Sequence, residues 1–166
     1  MAKTRILSFA VAFIVFVADQ GTKHLVLENM RLHEVIRVFP FFNLVYYRNT
    51  GSAFGLFSRM GNPFFVTVSV FAICCLCLLI IRDRYNAVGY SLILGGAAGN
   101  LADRLTCGFV IDFLELYAGN FYWPAFNVAD SALTLGIIML LAGSVLEARR
   151  QTRDGSPAND HQRKTG

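Results

Sequence analysis

This sequence is poor in charge. Asp, Glu, Lys and Arg make up 16% of its 166 residues, against roughly a quarter in soluble domains. Hydrophobic residues reach 55%, and the mean hydropathy is +0.49. This balance excludes an ordinary water-soluble domain and indicates an integral membrane protein. Cysteine occurs four times, as Cys74, Cys75, Cys77 and Cys107, never as C-x-x-C. That spacing argues against zinc, and the thiols read as small apolar filler. There is no G-x-S-x-G, no H-E-x-x-H and no P-loop. His24, His33 and His161 are not spaced as ligands, and Ser52, Ser131 and Cys107 have no evident base except carboxylates. Neither a metal nor a cofactor is expected.

The net charge of +4 would raise nucleic acid as a partner for a soluble chain. Here Lys and Arg sit largely at the ends of apolar runs and in the tail. Their expected role is orientation in the membrane, with no nucleic acid partner.

A spanning helix needs about 20 mostly apolar residues. Four segments qualify as expected spans, at about 6–26, 60–81, 85–104 and 126–147. The N-terminus mimics a secretory signal peptide, but cleavage after Ala18 would place bulky Phe16 where a small residue is needed. It is read as a retained first helix. The expected fold is a mainly α membrane protein of four transmembrane helices. A small β-rich segment, about 28–59, is expected between the first two. VIRVFPFFNLVYYRN within it is rich in β-branched and aromatic residues, Pro40 marks an edge or a break, and Asn49-Thr50-Gly51 is a turn signal. Residues 1–150 form one membrane domain, and 151–166 read as a polar, disordered cytoplasmic tail. Lys3, Arg5, Arg82, Arg84, Arg149, Arg150 and Arg153 fall on one face, which makes it cytoplasmic and puts both termini there. The β-rich segment is then extracytoplasmic.

Polar residues gather at the opposite face. Asp19 and Lys23 are one helical turn apart and form a paired charge that ends the first span. Asn100, Asp103 and Arg104 share a face at the end of the third. Arg104 reads either as one half of a buried ion pair or as a guanidinium that holds a substrate carbonyl or orients an acid. Asp103 has no assigned role beyond pairing with a nearby arginine. Gly95 and Gly99 form a G-x-x-x-G packing motif. Asp112 lies in the outer link, and Asn127 and Asp130 open the fourth span. Taken singly, Asp112 could be a turn residue and Asp130 a helix N-cap. Two carboxylates in a poorly solvated site cannot both ionise easily, so one keeps a proton and the pair supplies an acid and a base. That is aspartic-peptidase chemistry, although the D-T-G or D-S-G of soluble aspartic proteases is missing.

At these residues the chain resembles the bacterial lipoprotein signal peptidase (signal peptidase II) family. The blocks run in family order: D-Q-x-x-K at Asp19–Lys23, N-T-G-x-A-F-G at Asn49–Gly55, G-N-x-x-D-R at Gly99–Arg104, V-x-D-F at Val110–Phe113 and F-N-x-A-D-S at Phe126–Ser131. The match covers about residues 6–147, with no departure at a position the family needs. The resemblance implies a membrane aspartic endopeptidase of the bacterial inner membrane. It would remove the signal peptide of prolipoproteins just before a diacylglyceryl-modified cysteine. Asp112 and Asp130 would be the catalytic pair, with Asp19, Lys23, Asn49, Gly51, Asn100, Arg104 and Asn127 supporting it. Partners would be the prolipoprotein and membrane lipid, and the enzyme would be a monomer. Two other classes fit parts of the pattern. A small ion-coupled carrier also uses intramembrane acids, though its site belongs near the midplane. A non-catalytic scaffold would use the polar residues as interhelical glue.

Overall fold

The computed structural model describes residues 2–51, 61–83 and 86–154. Helix α1 (Ala2–Asn29) leads into strands β1 (Val35–Phe39) and β2 (Phe42–Asn49). Helices α2 (Gly61–Arg82) and α3 (Ala87–Thr106) follow, then β3 (Val110–Ala118), the short β4 (Phe121–Tyr122) and α4 (Val128–Asp154). Three helical stretches, Lys3–Asn29, Gly61–Arg82 and Val128–Thr152, are long and apolar enough to cross a membrane. They turn large apolar side chains outward, Phe13, Phe71 and Leu141 among them, as a lipid-facing surface does.

Helix α3 is not among the three. It contacts each of the other helices and buries Leu94, Gly95, Gly96, Gly99 and Asn100. A helix enclosed by protein has no need of an oily exterior, so small and polar residues lower its hydropathy without exposing them to lipid. Close approach is the reason for two of its glycines. A Cβ on Gly99 would overlap the Asp19 carboxylate, and one on Gly96 would lie 2.5 Å from the Ala129 carbonyl oxygen of α4.

The sheet differs from the sequence expectation. It is antiparallel with order β1-β2-β3-β4, so half of its strands lie between α3 and α4 rather than between α1 and α2. Asp112, expected in a link, sits within β3 opposite Tyr47. Pro40 occupies the β1–β2 turn, consistent with its missing N–H donor. Val26, Tyr46, Ile111 and Phe113 form a buried cluster that includes Val128 at its margin. This cluster fastens the sheet onto one end of α1 and α4. The tail expectation also changes: α4 continues through Gln151–Asp154, and 155–166 lie outside the described residues. So do Ala53, Phe54 and Gly55 of the N-T-G-x-A-F-G block, and Arg84.

Candidate active site

The first turn of α4 is built by a reciprocal cap. Asp130 N donates to Asn127 Oδ1 (2.9 Å), and Asn127 N donates to Asp130 Oδ2 (3.3 Å). This is the logic of a capping box, with Asn and Asp in the two positions. Ala129 N, a further donor of that turn, goes to Asp19 Oδ1 of α1 at 2.9 Å. The N-cap reading of this region is therefore correct in part, but Asn127 is the cap and Asp130 its partner. The cap leaves the Asn127 amide nitrogen free for other acceptors. It donates to Asp112 Oδ1 at 2.8 Å and also lies 3.2 Å from both Asn100 Oδ1 and the Ile111 carbonyl.

The two aspartates are thus tied to one residue. Asp112 Oδ2 accepts from Asn49 Nδ2 at 2.9 Å, and Asp130 Oδ1 accepts from Asn100 Nδ2 at 2.8 Å. Asp112 is buried, at 3% exposure. Burial, followed by the neighbouring Asp130 charge, pushes its carboxyl up to about 7, while the bonds from Asn49 and Asn127 and the Lys23 charge pull the other way. A carboxyl so placed exchanges its proton near neutral pH, as a general acid or base requires.

Behind this pair lies a saturated cation. Lys23, 2% exposed, meets Asp19 Oδ2 and Asp103 Oδ2 at 2.8 Å each and donates to Asn100 Oδ1 at 3.0 Å. Its three N–H donors are all used. Lysine only donates, so it fixes the Asn100 oxygen toward itself and the Asn100 nitrogen toward Asp130. Asp103 pairs with this lysine, not with an arginine as expected. Its Oδ2 also accepts from Ile111 N at 3.1 Å, which holds the strand one residue before Asp112. Gln20, part of the D-Q-x-x-K block but given no role from sequence alone, bridges Asp19 Oδ2 (3.2 Å) and Asp103 Oδ1 (2.9 Å).

Arg104 forms no ion pair among the described residues. Its Nη1 donates weakly to the Asn100 carbonyl at 3.3 Å, and its guanidinium lies 5.2 Å from the Phe65 ring centre. The buried-ion-pair alternative is thereby removed, and most of its donors remain for a ligand. Gly51, buried with φ 119°, donates its N–H to Asn49 Oδ1 at 2.9 Å. This turn orients the Asn49 nitrogen onto Asp112. All nine residues selected from the sequence surround one constellation. Among the described residues, no group of three or more His, Cys, Asp or Glu side chains is placed to hold a metal ion.

Comparison with known proteins places the chain among relatives of one family. The signal peptidase (SPase) II family profile matches residues 11–146. The lipoprotein signal peptidase of Thermodesulfovibrio yellowstonii is 43% identical over 129 residues, covering 78% of this chain and 88% of that protein. The lipoprotein signal peptidase of Serratia marcescens is 40% identical over 155 residues, covering 89% and 91%. Among solved structures, a bacterial membrane enzyme determined by the in meso method at 2.3 Å superposes with a TM-score of 0.78. It is 30% identical, with 91% of this chain and 92% of that one covered. A second such enzyme, at 1.9 Å, gives 0.74 at 33% identity, with 82% and 90% covered.

Proposed function

The chain belongs to the signal peptidase II family, and we propose on that premise that Asp112 and Asp130 are the catalytic pair by which it removes signal peptides from prolipoproteins. The observation that carries the assignment is the Asn127 bridge: one side chain and its backbone N–H hold both carboxylates. The family and its relatives are peptidases, so the carrier reading is dropped.

The proposed reaction is hydrolysis without a covalent intermediate. The ionised carboxylate of the pair takes a proton from water as its oxygen attacks the scissile carbonyl carbon. The protonated carboxyl gives its proton to the carbonyl oxygen, forming a neutral gem-diol. Collapse of that diol breaks the C–N bond, with a proton delivered to the departing amine, and returns the pair to its one-proton state. Asn49, Asn100 and Asn127 hold the two carboxylates at fixed angles. Asp19 and Lys23 support them from behind, and Gly51 sets the Asn49 turn. Arg104 offers N–H donors to a backbone carbonyl of the peptide.

The substrate is read as a prolipoprotein cut before its diacylglyceryl-modified cysteine. The enzyme is a bacterial inner-membrane protein. In our reading α3 is a fourth span, both termini are cytoplasmic and the site faces outward. The β-sheet lies on that outer surface, and the enzyme works as a monomer with lipid around it. What supports the orientation is the gathering of Lys and Arg at the opposite ends of the helices.

The direct test is cleavage of a lipidated precursor by Asp112→Asn and Asp130→Asn enzymes. Each is expected to lose about 10³-fold or more in kcat. Near-parental turnover by either variant would remove that residue from the catalytic pair.

A further inference from the structure

Phe65 has no part in the family blocks quoted above. It is the fifth residue of α2, a helix that farther along buries Leu76 and Ile80 in a cluster with Ala12 and Leu94. Its ring nevertheless touches both halves of the site. One side of it lies against Gly51, so closely that a Cβ there would overlap ring atoms Cδ2 and Cε2. The Arg104 guanidinium stands 5.2 Å from the ring centre. Close by, Asn62 Nδ2 donates to the Arg104 carbonyl at 2.9 Å, a second tie between the start of α2 and the end of α3.

These contacts have directed consequences. Gly51 N donates to Asn49 Oδ1, and Asn49 Nδ2 donates to Asp112. A ring that holds Gly51 therefore holds the turn that aims Asn49. Arg104 forms no ion pair among the described residues, so the charges of Asp130, Asp112 and Asp103, felt at longer range, do not clamp its head group. The ring face does so instead, attracting the cation while leaving its N–H edge unspent.

We infer that Phe65 is a positioning residue, which clamps Arg104 and the Asn49–Gly51 turn around the carboxylate pair. This rests on the peptidase reading above. The ring touches no reacting atom in this scheme. It acts through the arginine that meets the peptide and through the asparagine that meets Asp112. An aliphatic side chain of similar size would fill the volume and lose the attraction for the cation. Tyrosine would keep both.

The test compares full-length parent, Phe65→Leu, Phe65→Tyr and Asp112→Asn enzymes in detergent micelles, with a synthetic diacylglyceryl-modified precursor peptide. The parent is also examined by NMR at the Arg104 Nε–H. Phe65→Leu is expected to lose about 10-fold in kcat/KM, mainly through KM, while Phe65→Tyr stays within about twofold. The Arg104 resonance is expected to be shifted by the ring current in the parent and to lose that shift in Phe65→Leu. Equal activities of the leucine and tyrosine variants, at whatever level, would overturn the inference. So would an unshifted Arg104 signal in the parent, a reading that stands even where the leucine variant does not fold. Full cleavage by Asp112→Asn would instead overturn the place of Asp112 in the catalytic pair, and a parent enzyme that leaves the precursor uncut would overturn the peptidase reading, whatever the Phe65 variants do.

Discussion

At the residue scale, Asp112 decides the pH behaviour. Its folded carboxyl titrates near 7 against an ordinary value of 3.8, with burial as the larger cause and Asp130 the second. The folded protein therefore holds a proton there that the unfolded chain has already lost. Its contribution to stability falls as pH rises from about 4 through about 7 and is level beyond. For catalysis the one-proton state is the active one, so kcat/KM should decline above an apparent pKa near 7, a property of the pair. Replacing Asp130 by Asn removes the second cause only. The Asp112 titration should then move down while staying above 3.8, measured by isotope-edited infrared spectroscopy of its carboxyl band. A fall all the way to 3.8 would show the neighbouring charge, and not burial, to be dominant.

The same scale shows what can and cannot be read from a sequence. Asp112, Asp130, Asn100 and Asn127 stand out because polar residues beside apolar runs are costly and few. Asp103 is one residue before an arginine, and proximity in sequence suggests the wrong partner. Its real partner, Lys23, projects from another helix. Phe65 is invisible for the opposite reason: one phenylalanine among fifteen carries no signal until its contacts are seen.

At the element scale, α1, α2 and α4 were legible from apolar length, and α3 from its 18 uncharged residues up to Ala102. Strand β3 was not. FVIDFLELY has the aromatic and β-branched content of a strand, yet its partner β2 is encoded before α2, and pairing over such a distance leaves no local mark. The element most exacting in its packing is α3. Substitution of Gly99 by Ala would drive a methyl into Asp19, which cannot yield because Lys23 and Ala129 N hold its two oxygens. We expect a loss of about 1–3 kcal/mol together with most activity. Gly21 is the control, a helical glycine on α1 with nothing within 4 Å of an added Cβ. Gly21→Ala should leave activity intact and stabilise the helix by up to about 1 kcal/mol. Thermal unfolding in micelles distinguishes the two, and equal effects at both positions would contradict the packing described for α3.

At the scale of the whole molecule, the proposed chemistry sits at one end of the helices, where the sheet is fastened to α1 and α4. This placement suits a substrate with an apolar signal helix and two acyl chains. Drawing a lipid chain out of a bilayer costs about 0.8 kcal/mol per CH₂, so the bond has to be met at the membrane surface. An unlipidated precursor of the same sequence forfeits that anchoring and is expected to show kcat/KM lower by about 100-fold or more. Paired assays in proteoliposomes measure the ratio. Equal turnover of the two precursors would mean that lipid plays no part in recognition.

Asn127 gives this architecture a further property. The residue that starts α4 also holds the two aspartates, because the Asn127 side chain caps the helix and donates to Asp112 while its backbone N–H donates to Asp130. Fraying of the first turn and loss of the proposed catalytic geometry are then a single event. A helix end that opens for one part in a hundred of the time withdraws about that share of the working enzyme. The protein cannot soften this corner to admit bulkier substrates without idling in the same proportion, so adaptation to new precursors has to come from elsewhere along the molecule.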